Sequence, residues 1–194
     1  MKNFKSMGRK ALVISACVFI CVLPSITFAG ESPVFRPYMV EGNDFHSLDQ
    51  SIIKNRPDGF NSGNEWHISW KFTFDEKKDG CYLSKPSVSK KVVIILPKWQ
   101  NPQDGNKAIQ TEWKRYVKAL TVHQLGHVKN ASNAQKAILV MFKQFPAQPS
   151  CLQLKKKANA AAREVLNDYY AKDKDYEKAS QKGLTQGAVF KEPN

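Results

Sequence analysis

Between Lys107 and Phe145 the chain has no proline, and its one glycine there is Gly126. Apolar or aromatic residues recur in that stretch at Ile109, Trp113, Tyr116 and Leu120, then at Ala131, Ala134, Ile138, Met141 and Phe145. Steps of three and four place these side chains on one face of a helix, either single or bent near Gly126. Gly126 costs a helix about 1 kcal/mol relative to alanine, so a close approach there by another chain segment or a ligand, or close packing of a helix or an aromatic ring, is expected. The gap in the stripe is filled by His123, Gln124 and His127. Two imidazoles four residues apart share a face, so both can reach one metal ion. As core residues they would instead need buried hydrogen-bond partners.

The remaining segments supply what such a helix packs against. Trp66, Ile68, Trp70, Phe72 and Phe74 alternate with His67, Ser69, Lys71 and Thr73. Period two predicts a strand with an aromatic buried face. Asp75 to Gly80 reads as a connection, and Cys81 to Leu83 and Val88 to Leu96 as further strand, ended by Pro97. Tyr38 to Val40 suits an edge strand, and Asp44 or Ser47 suits the cap of a short helix. After Pro146 and Pro149 a second long helix opens at Cys151 and runs to about Tyr170, on a stripe of Leu154, Ala158, Ala161, Val165 and Tyr169. From Asp173 the pattern reads as an irregular tail. The fold class expected is α+β: a small antiparallel sheet packed on the histidine-bearing helix and a second helix.

The first residues read as an address rather than as fold. Lys2, Lys5, Arg9 and Lys10 precede an apolar run from Ala11 to Leu23, and Thr27-Phe28-Ala29 supplies small residues for cleavage after Ala29. This pattern predicts a signal peptide over residues 1–29 and one domain over 30–194, exported to the periplasm or the medium. Two other readings are an uncleaved anchor and lipid attachment at Cys17. The run is short for a span of ~20 residues, and it continues well past Cys17. No stable transmembrane span is expected in the mature chain. Removing the segment takes away four basic residues, lowering the formal charge from +13 to +9. The remaining lysines and arginines are dispersed, without a nucleic-acid-binding motif, so a solvated basic face is expected rather than a nucleic-acid partner. Cys81 and Cys151 remain, and two cysteines in an exported protein read as one disulfide, with two free thiols as the alternative.

His123-Gln124-Leu125-Gly126-His127 has the spacing of the zinc-peptidase motif His-Glu-x-x-His, in which the glutamate takes a proton from zinc-bound water. Here that residue is Gln124, an amide of the same shape without the basicity. The wider sequence resembles a family of exported bacterial domains described as secreted zinc-dependent proteases. The resemblance rests on Tyr38-x-Val40-x-Gly42, Trp66-x-Ile68-x-Trp70, Cys81, Leu96-Pro97-x-Trp99, Trp113, Cys151, Tyr176 and Gln186-Gly187-Ala188-x-Phe190. It implies a zincin-like site with two helix histidines, a catalytic glutamate and a tail histidine as third ligand.

This chain departs from that pattern twice. Gln124 replaces the glutamate, and Lys182 occupies the tail-histidine position. Loss of the base removes about 10²–10⁴ in rate. An ammonium ~4 Å from Zn²⁺ is repelled by about 8 kcal/mol at an effective dielectric of ~20. Lys182 is therefore expected in the vacated metal position, donating to Gln124 and an imidazole, and tight zinc binding and peptide cleavage are expected to be lost. The leading expectation is an impaired family member that binds a peptide or an envelope protein, in a cleft floored by His123, Gln124 and His127. The alternative is an active zinc metallopeptidase with a non-standard ligand or base, drawn from His46, His67, Glu177 or Glu112.

Overall fold

The computed structural model describes residues 32–60 and 62–192; the expected signal segment lies outside them. In chain order the elements are β1 (Val34–Val40), α1 (Phe45–Asn55), β2 (Gly63–Lys77), β3 (Gly80–Trp99), α2 (Lys107–Lys143) and α3 (Cys151–Ser180). The architecture is α+β, as expected, with three strands ordered β1-β3-β2.

The sheet is mixed rather than antiparallel. β2 and β3 form a long antiparallel hairpin, while β1 runs parallel to β3 from Val34↔Val93 to Val40↔Trp99. α1 and the whole of β2 intervene between β1 and β3, so no tight turn dictates their direction. β3 also runs through both of its prolines. Lys85 and Pro86 occupy a bulge at the register shift opposite Lys71–Thr73, a position where a missing N–H is tolerated. β2 ends opposite Ile95, so at Pro97 β3 has a neighbouring strand on one side only.

α2 is one unbroken helix through Gly126, capped by Asn106, whose side chain accepts from the Ile109 N–H at 3.0 Å. Its buried stripe follows the expected one from Ile109 to Ile138 except that Trp113 is only half-buried, and Phe142 replaces Met141 and Phe145 at the end as the 3.6-residue period drifts. One core cluster, around Tyr116, Leu120, Trp99 and Phe190, lies at the N-terminal end of α2. A second, with Ile68, Ala134, Ile138, Phe142, Ala158 and Ala162, joins α2, α3 and the aromatic face of β2. His123 and His127 fall between Leu120 of the first and Ala131, which packs with Val92 and Ile94. The site is thus walled by packed core on both sides.

α3 begins at the predicted disulfide: Cys81 and Cys151 are bonded, and the Cys81 backbone pairs with Gln148 in both directions at 2.8 and 3.0 Å. It does not stop near Tyr170 but continues ten residues further, to Ser180. The charges of Lys172-Asp173-Lys174-Asp175 disguise this continuation, since they break the apolar stripe while the helical period persists in polar residues. Gln181, Lys182 and Gly183 are all left-handed (φ 48°, 59° and 88°) and turn the chain back. The tail then crosses α2, where the Arg115 guanidinium donates to the carbonyls of Gly187 and Val189.

Candidate metal centre

The histidine helix and the unexpected last turns of α3 face each other. His123 and His127 stand one turn apart on α2, and Asp173 and Glu177 one turn apart on α3. Both imidazoles are buried, 2% and 1% exposed. The His123 Nε2 lies 3.4 Å from Glu177 Oε2, and the His127 Nε2 lies 3.3 Å from Glu177 Oε1. One ligand atom from each of the three residues fits within a 4.8 Å spread.

The outer nitrogens are held just as definitely. Asp173 Oδ1 lies 2.9 Å from His127 Nδ1, and Gln186 Oε1 lies 3.0 Å from His123 Nδ1. Burial by itself would raise the Asp173 carboxyl, but hydrogen bonds donated by His127, Asn130 and Trp66 together hold it below its ordinary range. An ionised carboxylate only accepts, so His127 carries a proton on Nδ1, and in the neutral ring its Nε2 is a bare lone pair. Gln186 donates through Nε2 to the Tyr176 hydroxyl, which leaves Oε1 to accept from His123. The network thus assigns His123 the same tautomer. Burial also lowers the His123 pKa against the opposing pull of Glu177, favouring neutral imidazole.

Two lone pairs and a carboxylate therefore converge. His127 Nε2 and Glu177 Oε2 are buried without a hydrogen-bond partner among the described residues. Acceptors packed this closely repel unless a cation lies among them. Ligands about 2.0–2.1 Å from a tetrahedral zinc are roughly 3.3 Å apart, which matches both histidine–glutamate separations. Each histidine also has the outer partner that orients a metal-bound imidazole. The residues fit a divalent transition metal.

Two glycines make room for this arrangement. Tyr176 stacks on His123, with ring centroids 5.3 Å apart, and donates to the His123 carbonyl at 2.9 Å. Its ring crosses α2 at Gly126, where an added Cβ would lie 2.2 Å from the phenol. Gly126 is therefore the site of close approach that its place in the helix predicts, and α2 passes through it as one helix. Gly183 plays a similar part, since a Cβ there would lie 3.1 Å from His123 Cγ and 2.9 Å from Ala188 Cβ.

The two residues singled out for departing from the peptidase motif sit away from this convergence. Gln124 is 1% exposed; its Oε1 accepts from Asn64 at 3.0 Å and its Nε2 donates to Ser62 at 2.7 Å. It ties α2 to the start of β2. Lys182 does not donate to Gln124 or an imidazole as expected. Its left-handed backbone follows the end of α3 and carries its ammonium over the Phe60 ring, 4.4 Å from the centroid. His46 and His67 are exposed, and Glu112 pairs with Arg115. Of the substitute ligands weighed from sequence, Glu177 joins the histidines. Asp173 and Gln186 were missed. The signal for Asp173 was its four-residue spacing from Glu177, which repeats that of the histidines; Gln186 had only its place in the tail pattern.

A helix-borne histidine pair joined by a carboxylate from an antiparallel helix, with both imidazoles oriented from outside, defines this as an α+β protein with a candidate metal centre. A family model described as bacterial protein of unknown function (DUF922) matches residues 35–183, and the chain belongs to that family. No curated protein and no solved structure matches it significantly. Among the described residues no helix is long and apolar enough to cross a membrane.

Proposed function

We propose that the protein is an exported member of its family that holds zinc through His123, His127 and Glu177 and binds a peptide or an envelope protein without cleaving it efficiently. The observation supporting the metal reading is that His127 Nε2 and Glu177 Oε2 are buried without a hydrogen-bond partner among the described residues, in a His123–His127–Glu177 cluster whose ligand atoms lie within 4.8 Å of one another. Zinc bound there would supply a Lewis acid. The chain's own residues hold the imidazoles in the ligating tautomer through Asp173 and Gln186, and exclude water from their outer nitrogens. Gln124 supports the impaired reading, because an amide accepts no proton and both its ends are engaged.

Metal analysis of protein purified without a histidine tag tests this. About one zinc per chain is expected, lost in His127→Ala and in Glu177→Ala and retained in Lys182→Ala. Absence of zinc after incubation with the metal would refute the site, and brisk chelator-sensitive peptidase activity in the unaltered protein would refute the impaired reading. Gln124→Glu keeps acceptors for Asn64 and for a rotated Ser62 hydroxyl, so it should fold normally and raise any residual hydrolysis.

A further inference from the structure

The cleft opening onto His123 and Glu177 has a volume of about 300 Å³ and is also lined by Arg56, Phe60, Lys182 and Leu184. That is the lower end of the range for small-ligand sites. We infer that this cleft recognises a carboxylate of the bound ligand through Lys182, beside the metal centre. The inference rests on the binding reading above and names the chemistry that such a ligand must carry.

Three observations support it. Glu177, the carboxylate lining the cleft, is turned onto the imidazoles rather than onto Lys182, which is exposed and holds its ammonium over an aromatic ring instead. Glu177 therefore does not neutralise the Lys182 ammonium, and a divalent ion on Glu177 would add further positive charge beside it, favouring an anionic group. The neighbouring depression, about 240 Å³, shares Phe60, Ser62 and Glu177 but adds Glu65, and no lysine or arginine is among its described lining residues. The two depressions differ in sign, so a ligand crossing Phe60 is oriented with its negative group on the Lys182 side. Finally, Gln181 and Lys182 are consecutive non-glycine residues with left-handed backbone, a conformation that costs side-chain-bearing residues energy and that clusters at functional sites. Packing alone does not require a lysine there, because its side chain is exposed.

The test is direct binding of labelled peptides to the zinc-incubated protein, with zinc content measured on the same samples. The probes are a peptide with a free C-terminal carboxylate, its C-terminal amide, and an amide carrying an internal glutamate. The free acid should bind about tenfold or more tighter than the plain amide, the worth of one charge-assisted hydrogen bond. Lys182→Gln should abolish that preference and Lys182→Arg should keep it. Lys182→Gly should abolish it without lowering the thermal midpoint, since glycine relieves the left-handed backbone. Tight binding of the glutamate-bearing amide would assign the carboxylate to a side chain, and its failure would assign it to the chain end. Equal binding of all three probes, or a preference that survives Lys182→Gln, would overturn the inference. Preference without zinc would overturn the metal reading alone, and zinc without preference this inference alone.

Discussion

Along its first half α3 presents Leu154, Ala158 and Ala162 to its neighbours, all fully buried. Along its last turns it presents Asp173, Tyr176, Glu177 and Ser180 on the continuation of the same face. The first half is held by apolar contact with Ala134, Ile138 and Phe142, and by the disulfide at Cys151. The last turns are held by hydrogen bonds and by the convergence on His123 and His127. Small alanines let the helices approach closely at one end, and that spacing brings acidic side chains within reach of the histidines at the other. Stability is concentrated where the chemistry is not. Polar groups that face one another without full satisfaction are costly, and a rigid apolar half offsets that cost for the half that carries the site.

This contrast can be broken from either end. Replacing Cys81 and Cys151 with alanine removes a crosslink spanning 70 residues; the loop-entropy relation predicts a loss of about 4 kcal/mol. Denaturant titration of the double variant checks this, and its zinc content should be unchanged under native conditions. At the polar end, Gly126→Ala should destabilise by about 1–3 kcal/mol, because the new methyl group must displace the Tyr176 ring. In a Tyr176→Ala background the same substitution should stabilise by about 1 kcal/mol, through helix propensity alone. A cycle showing no such change of sign would mean that the ring does not cross α2 at Gly126. Asp173→Asn turns an amide N–H₂ towards one of the donors from which the carboxylate accepts, so it should destabilise by about 1 kcal/mol while weakening zinc binding about 10–100-fold, the usual cost of losing the outer partner of a ligating histidine. Competition with a chromophoric chelator measures it; unchanged affinity would show that Asp173 serves the fold and not the metal.

Much of the scaffold was legible in the amino-acid pattern because burial imposes its own period. The stripe on α2 and the alternating aromatic face of β2 were readable in that way, while the pairing of Cys81 with Cys151 followed from their being the two cysteines left after the export segment. The direction of β1 was not, since a short edge strand carries no sign of which way its partner runs. The end of α3 was misread for a different reason. Asp173, Tyr176 and Glu177 keep the helical spacing, but what they face is imidazole rather than hydrocarbon, so a search for apolar periodicity ends too early. Lys182 was misplaced because its position in the tail pattern says nothing about backbone handedness, and three successive left-handed residues carry its side chain towards Phe60.

By itself the sequence determined that a long helix would carry His123 and His127 on one inward face, and that Gln124 would lack basicity, because residue chemistry and helical spacing are local. Tertiary structure alone decided what completes that pair. The antiparallel packing of α3 on α2 brings Glu177 to both Nε2 atoms and Asp173 to one Nδ1, while the returning tail brings Gln186 to the other. These partners lie 46 to 63 residues away along the chain, and side-chain packing between helices, not spacing within one, sets which carboxylate meets the histidines.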